Sequence, residues 1–382
     1  MNPPSKPLCI AIVGCGQIAD AHLQELGKID SVEVVATCDR HRDLAMQAAM
    51  RFDVPRYYDD IKSMMTAERP DIVHIATPAH THASLAQEIM TEGAHVYIEK
   101  PLAVSERELR EIIATAKNRG RVVCAGHDQL FDPAWVDLRR RVAAGEIGEV
   151  RHVESILGYP VSGQFGSAVL ADPQHWVRRL PGGLFQNTIS HPLYRICEFL
   201  ADEQPVIVAN WWKRGFSFPT EMFAHIRGKT ATGNLIFSTA IAPQRITRVL
   251  GTRGGLEVDL DAQSVVRIAP PALPGAFGKL EMPWRRRQQA SRAFRNNLWR
   301  FMRSEISYFA GMRTLFEQFQ NTVRNPGTPW PVSPEEMLRV TRLMDEIFRA
   351  CRQADGVPES IAGVEGRQAP ARAAQLNPAE IV

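Results

Sequence analysis

The loop Gly14-Cys15-Gly16-Gln17-Ile18-Ala19 sets two glycines and an alanine at G-x-G-x-x-A spacing, directly after the apolar run Ile10–Val13. Gly14 allows a tight turn, Gly16 lets the backbone approach a diphosphate, and Ala19 lets the following helix lie close to a sheet. That helix would open at Gln17 and Ile18, where unpaired N–H groups and the positive end of the helix dipole attract phosphate. The spacing alone is weak, because glycine pairs occur by chance. Its context is stronger: a strand before, a helix after, and Asp39 at the end of the next strand. A carboxylate there suits the adenosine ribose hydroxyls of a dinucleotide and opposes a 2′-phosphate, which favours NAD. Arg40 and Arg42 stand close enough to cradle that phosphate instead, so NADP stays open.

Two more segments end apolar runs with reactive groups. Thr77-Pro78-Ala79-His80-Thr81-His82 follows Ile72–Ala76, and Glu99-Lys100-Pro101 follows His95–Ile98. Ligands of open parallel sheets sit beyond the carboxyl ends of the strands, so Lys100 could reach a hydroxyl held over a nicotinamide. A surface lysine before a turn is the plain alternative.

Positioning these groups requires a parallel sheet. Strand-like runs at Leu8–Val13, Val32–Cys38, Ile72–Ala76, His95–Ile98 and Val122–Ala125 alternate with helical spacing over Ile18–Lys28, Arg42–Phe52, Ile61–Ala67, His82–Glu92 and Glu106–Asn118. That alternation predicts an α/β, doubly wound Rossmann domain over residues 1–126. The pattern then changes. Helices are expected over Pro133–Ala144 and Asn187–Leu200, a strand over Glu149–Leu157, and four to six strands between Pro205 and Ile268. Strands without intervening helices imply an α+β domain, 127–355, built on a mostly antiparallel open sheet. Helical stretches follow at Arg292–Asn321 and Pro334–Cys351, and residues 356–382 read as a disordered tail.

A chain of 382 residues has room for two domains of ~100–200 residues. Its 45 basic and 42 acidic side chains leave a net charge of +3, which gives no reason to expect a nucleic-acid partner. No apolar run approaches the ~18 residues of a membrane span. The opening residues Met1–Pro7 lack the parts of a signal peptide, so a cytoplasmic protein is expected. The six cysteines form no C-x-x-C pair, and neither a disulfide framework nor a metal site is expected of them.

Taken in order, G-x-G-x-x-A, the strand-terminal Asp39, T-P-x-x-x-H at Thr77–His82, A-x-H-V-x-x-E-K-P ending at Pro101, and G-G-x-x-x-N-x-x-x-H from Gly182 to His191 resemble the glucose–fructose oxidoreductase, inositol dehydrogenase and rhizopine-catabolism (Gfo/Idh/MocA) family. The likeness runs from Ile10 to about Cys351 and includes the turn and strand Leu250–Val258. It implies that Thr77, Pro78, His82, Glu99 and Lys100 line the nicotinamide half of the cofactor pocket. It also implies that Lys100 orients the substrate and assists proton transfer. Asn187 and His191, four apart on an expected helix, would project from one face. His191 would take the hydroxyl proton as hydride leaves the carbon, since imidazole titrates near neutrality. His127 and Gln129 would lie near the substrate. Trp176 and Arg178 could form a sugar-stacking and anion-binding wall, with ordinary packing as the alternative.

The implied activity is hydride transfer between NAD(P) and a secondary alcohol or ketone of a sugar, cyclitol or nucleotide-sugar. Two departures qualify it: Asn187 stands where many members have aspartate, and Tyr194 where an aspartate follows the histidine. They leave open a nucleotide-binding regulator without turnover. A redox-neutral glycosidase that retains its NAD is a further alternative. Homodimers or tetramers are expected by the same likeness, with Trp211, Trp212, Phe216 and Phe218 as exposed candidates or, equally, core residues. Between Trp284 and Arg303 lie seven arginines and no acid, interleaved with aromatic residues. The expectation is an insertion whose apolar side packs on the sheet while its arginines face water. Contact with phosphate or with anionic lipid are the alternatives.

Overall fold

A computed structural model describes residues 6–356, apart from 201 and 304. The tail expected to be disordered lies outside the described residues from 357 onward. Six strands, β1 (Leu8–Val13), β2 (Val32–Cys38), β3 (Arg56–Tyr58), β4 (Ile72–Ile75), β5 (His95–Ile98) and β6 (Val123–Ala125), form one sheet in the order β3-β2-β1-β4-β5-β6. Every pairing in it is parallel. Helices α1 (Gln17–Leu26), α2 (Arg42–Arg51), α3 (Ile61–Glu68), α4 (His82–Thr91) and α5 (Glu106–Arg119) connect the strands. Ile10, Ile12, Ile72 and Ile75 are fully buried. These runs are apolar on both sides because helices cover both faces. The strand order reverses between β1 and β4, which opens a crevice at their carboxyl ends. The doubly wound expectation is met. The short edge strand β3 was not foreseen, since three residues after Pro55 give no alternation to read.

The chain continues through α6 (Pro133–Ala143), β7 (Val150–Gly158), α7 (Gln164–Ala171), α8 (Leu184–Thr188) and α9 (Ser190–Cys197). Asp132 caps α6 by accepting from the Ala134 N–H, and Pro133 opens its first turn. Then come β8 (Val206–Trp212), β9 (Glu221–Arg227), β10 (Thr232–Ser238), β11 (Gln244–Gly251), β12 (Gly254–Asp259) and β13 (Ser264–Ile268). The second sheet runs β13-β12-β11-β7-β10-β9-β8, antiparallel except for β7 with β10. The helix expected over Asn187–Leu200 begins earlier and is divided at Ile189 into α8 and α9. Pro192, in the first turn of α9, brings no N–H to that turn.

Three helices complete the described chain: α10 (Ala276–Met302), α11 (Ala310–Arg324) and α12 (Pro334–Ala354). The single stretch expected over Arg292–Asn321 is therefore two helices. Met312, Leu315, Phe316 and Phe319 of α11 are buried in the core of the first sheet, whereas Val340, Leu343, Ile347 and Cys351 of α12 belong to the second. The chain thus returns to the cofactor side after building the second sheet.

One surface expectation is corrected, and one left open is divided. The inward face of α10 is polar: Gln289 bonds the backbone of Arg267, Asn297 donates to the Ala262 carbonyl, and Arg300 donates to Gln263. Its apolar side faces outward, because the hydrogen-bonding groups at the sheet edge recruited the polar side. Of the aromatic candidates for an oligomer face, Trp211 and Phe218 pack toward the second core. Trp212 is exposed, alongside Val206, Val208 and Phe223 on the outer face of β8 and β9.

Candidate active site

The crevice between β1 and β4 is lined by the glycine loop. Gly14 has φ +92°, and a Cβ there would lie 2.7 Å from the Ala76 carbonyl carbon and 2.8 Å from Thr77 Cγ2. The loop therefore presses against the end of β4, and only glycine fits. A Cβ at Gly16 would meet nothing within 4 Å. That open side is what a diphosphate in contact with the backbone requires. Gly16 also caps α1 without a side-chain hydrogen bond, so the N–H groups of Gln17 and Ile18 open toward the same space. Asp39 is held from both sides: one carboxylate oxygen accepts from Cys15 N–H at 2.9 Å, the other from His41 N–H at 2.8 Å. Arg42 turns away onto the Tyr57 ring and toward Asp59. Arg40 is exposed and bonds His41. These residues fit a dinucleotide whose ribose hydroxyls share the Asp39 carboxylate.

Of the five residues implied for the nicotinamide half, three flank the crevice and two lie behind it. Thr77 and Pro78 stand half-buried beside Gly14. Lys100 reaches across to the second domain, where its Nζ donates to the Asn187 carbonyl at 3.0 Å. His82 is buried, with one ring nitrogen 2.9 Å from the Thr77 carbonyl and the other 2.9 Å from that of Pro101. It clamps the two strand-end loops together rather than lining the pocket. Glu99 points inward. One of its oxygens meets His22 at 3.0 Å and Tyr97 at 3.3 Å, and the other accepts from the Lys100 N–H. His22 in turn meets His74 at 2.9 Å. Burial opposes ionisation of Glu99, but His22 and Lys100 outweigh it and hold the carboxyl below its usual range. Burial also lowers the Lys100 ammonium, against the pull of Glu99 and Asp128.

His191 lies in the first turn of α9, four residues beyond Asn187 near the end of α8, so the two do not share the single helix expected for them. The His191 Nδ1 is 2.8 Å from the Tyr194 hydroxyl, which fixes the orientation of the ring. Burial first, then the charges of Lys100, Arg195 and Arg245, hold this imidazole well below its ordinary range. It is therefore neutral at pH 7. His127 lies tilted against Tyr194 with ring centroids 4.6 Å apart, and burial pushes it down to about 3. Gln129 is buried with its Oε1 unpartnered among the described residues. Trp176 borders the loop after β4, 6.4 Å from the His80 ring. Arg178 instead donates to Ser217 and lies over Phe218, so it forms no wall with Trp176 here.

Two groups were missed, one coupled to Lys100 and one to His191. Asp128, on the 3-10 turn Asp128–Phe131 after β6, has its carboxyl raised to about 7 by burial and by Glu99, against Lys100 and Arg245. Its position beyond the end of a parallel strand was the available signal. Arg195 is fully buried, one turn past His191, and none of its guanidinium nitrogens has a hydrogen-bond partner among the described residues. No sequence pattern announces a buried arginine.

A raised carboxyl has a measurable consequence. An unfolded aspartate loses its proton near about pH 4, whereas folded Asp128 keeps it to about 7. The stability tied to this group is present below about pH 4 and is lost as pH rises through about 7. Asp128→Asn should flatten that part of the dependence of melting temperature on pH. An unchanged curve would show that Asp128 ionises normally.

Residues 8–127 match the family described as "Oxidoreductase family, NAD-binding Rossmann fold", and residues 135–257 match the "GFO/IDH/MocA C-terminal domain". D-glucoside 3-dehydrogenase of Escherichia coli is 32% identical over 147 residues, 38% of this chain and 42% of that protein. The chain thus aligns with about two fifths of that curated relative's length. An Agrobacterium radiobacter oxidoreductase, solved with NAD+, L-tartaric acid and magnesium, superposes with a TM-score of 0.73 at 14% identity, covering 91% of this chain and 97% of that one. The UDP-N-acetylglucosamine 3-dehydrogenase of Acidithiobacillus ferrooxidans gives 0.69 at 19% identity, covering 91% and 98%. With both halves matched to one family and the fold shared along nearly the whole chain, this protein belongs to the GFO/IDH/MocA oxidoreductases.

Proposed function

We propose that this protein is an NAD-dependent dehydrogenase acting on a secondary alcohol of a sugar, cyclitol or nucleotide-sugar. The observation that carries the reading is the meeting of Lys100, just after β5, with the Asn187 carbonyl, four residues before His191. Two chemically apt groups from separate sheets thereby share one place. Bound NAD would supply the hydride acceptor. His191, neutral and steadied by Tyr194, takes the hydroxyl proton. Lys100 binds and polarises the hydroxyl oxygen. Asp128, which gives up its proton near neutrality and feels the charge of Lys100, would return the proton to that pair. Asn187 contributes its carbonyl to Lys100 and its amide to substrate hydroxyls.

The test is nicotinamide reduction across a panel of sugars, cyclitols and nucleotide-sugars with NAD and with NADP. No absorbance change with any pair would overturn the reading and favour a regulator. Asp39→Asn should narrow the preference for NAD over NADP by about tenfold, as the charge facing a 2′-phosphate is removed; titration calorimetry with both nucleotides reads it. The exposed Val206, Val208, Trp212 and Phe223 on the outer sheet face suit a homodimer contact, which sedimentation velocity would detect.

A further inference from the structure

Helix α10 is amphipathic and docked with its polar side inward. Gln289, Asn297 and Arg300 fix that side to β13 and the turn before it. Gln289 satisfies backbone groups of an edge strand that would otherwise be unpaired. The opposite side carries Phe277, Leu280, Trp284, Phe294, Leu298 and Met302, spaced by three, four or sums of them along one stripe. All six are exposed, Phe277, Leu280 and Phe294 by about two thirds or more. Trp299 and Phe301 widen the stripe. An apolar surface of this size left to water is unfavourable and marks a contact site.

The charge around the stripe selects the occupant. From residue 282 to 303 there are seven arginines and no acid. Between α10 and the sheet edge lies a groove of about 300 Å³, lined by Arg141, Arg267, Arg285, Arg286 and Arg292 among others. Glu146 engages Arg141 and Arg267, and Glu281 engages Arg285. Arg286 and Arg292 have no acidic partner among the described residues. A cationic groove beside an aromatic stripe matches a surface whose phosphates stand next to hydrocarbon. A second copy fits poorly, because a symmetric contact through this helix would bring two sets of seven arginines together.

We propose that α10 is an interfacial helix that seats the protein on an anionic phospholipid surface. Trp284, Leu298 and their neighbours enter the acyl boundary, while Arg286 and Arg292 hold lipid phosphates.

The full chain should co-sediment with phosphatidylcholine vesicles containing about 30% phosphatidylglycerol at least ~10 times more strongly than with phosphatidylcholine alone, and less so as salt rises. The triple substitution Trp284→Ser, Leu298→Ser, Phe301→Ser should abolish sedimentation while its melting temperature stays unchanged, since all three positions are exposed. Arg286→Glu with Arg292→Glu should weaken binding while leaving the stripe intact. Failure to bind anionic vesicles, or equal binding to both compositions, would overturn the proposal. Binding of inorganic phosphate by calorimetry, lost in Arg286→Glu with Arg292→Glu and without any vesicle binding, would overturn the proposal and make the groove a soluble-anion site. A triple variant that dissociates an oligomer, with no vesicle binding in the parent, would assign the stripe to a second copy.

Discussion

His191→Ala should lower turnover by about 10²–10⁴-fold while NAD affinity stays within about twofold, because general acid–base catalysis contributes that much. The imidazole is neutral before substrate arrives, held so by burial and by three nearby cations. It can therefore take the hydroxyl proton without first losing one. It stands away from the phosphate loop, so binding of the nucleotide should not depend on it. Lys100→Ala should cost a similar factor, with an added rise in KM, since its ammonium would both bind and polarise the hydroxyl oxygen. Steady-state kinetics and nucleotide titration on the same preparations separate the two effects. Near-normal turnover in both variants would remove the assigned roles. Tyr194→Phe should fall between, as it unpins the imidazole without removing it.

The second large effect separates folding from binding within one loop. Gly14→Ala places a methyl against the Ala76 carbonyl and forces a β-carbon onto φ +92°. Backbone strain of roughly 1–2 kcal/mol adds to that clash, and at roughly 2–4 °C per kcal/mol the melting temperature should fall by several degrees or more. Gly16→Ala adds its methyl to open space, so the apo melting temperature should not move. That space is where the diphosphate is expected, and NAD affinity should drop about tenfold or more. Equal NAD affinity in Gly16→Ala and the parent would place the diphosphate elsewhere.

The features that repeat along the chain were legible in its letters. Five of six parallel strands and their helices follow from apolar runs alternating with helical spacing, and β3 escaped because three residues carry no period. The loop chemistry was also readable, since Gly14, Gly16 and Asp39 act through backbone and position. What the letters do not encode is direction. Glu99 and His82 were expected in the pocket, but each finds partners behind it, Glu99 with His22 and Tyr97, His82 with two carbonyls. Helix α10 shows the same limit, for its amphipathic pattern was visible and the side it would bury was not. Asp128 and Arg195 acquire their character from burial, which no local spacing announces.

Phe316 of α11 closes the underside of the catalytic strand ends, with its ring 4.7 Å from His74, 5.2 Å from Tyr97 and 5.3 Å from His22. The partners it covers are all encoded in the first hundred residues, and it arrives more than two hundred residues later. A ribosome will therefore have emitted the whole nucleotide-binding sheet before the side chain that seals the His22–Glu99 layer exists. Until then the layer that sets the pose of Lys100 lies open to water. Lys100 therefore acquires its final surroundings only after residue 316 has been added.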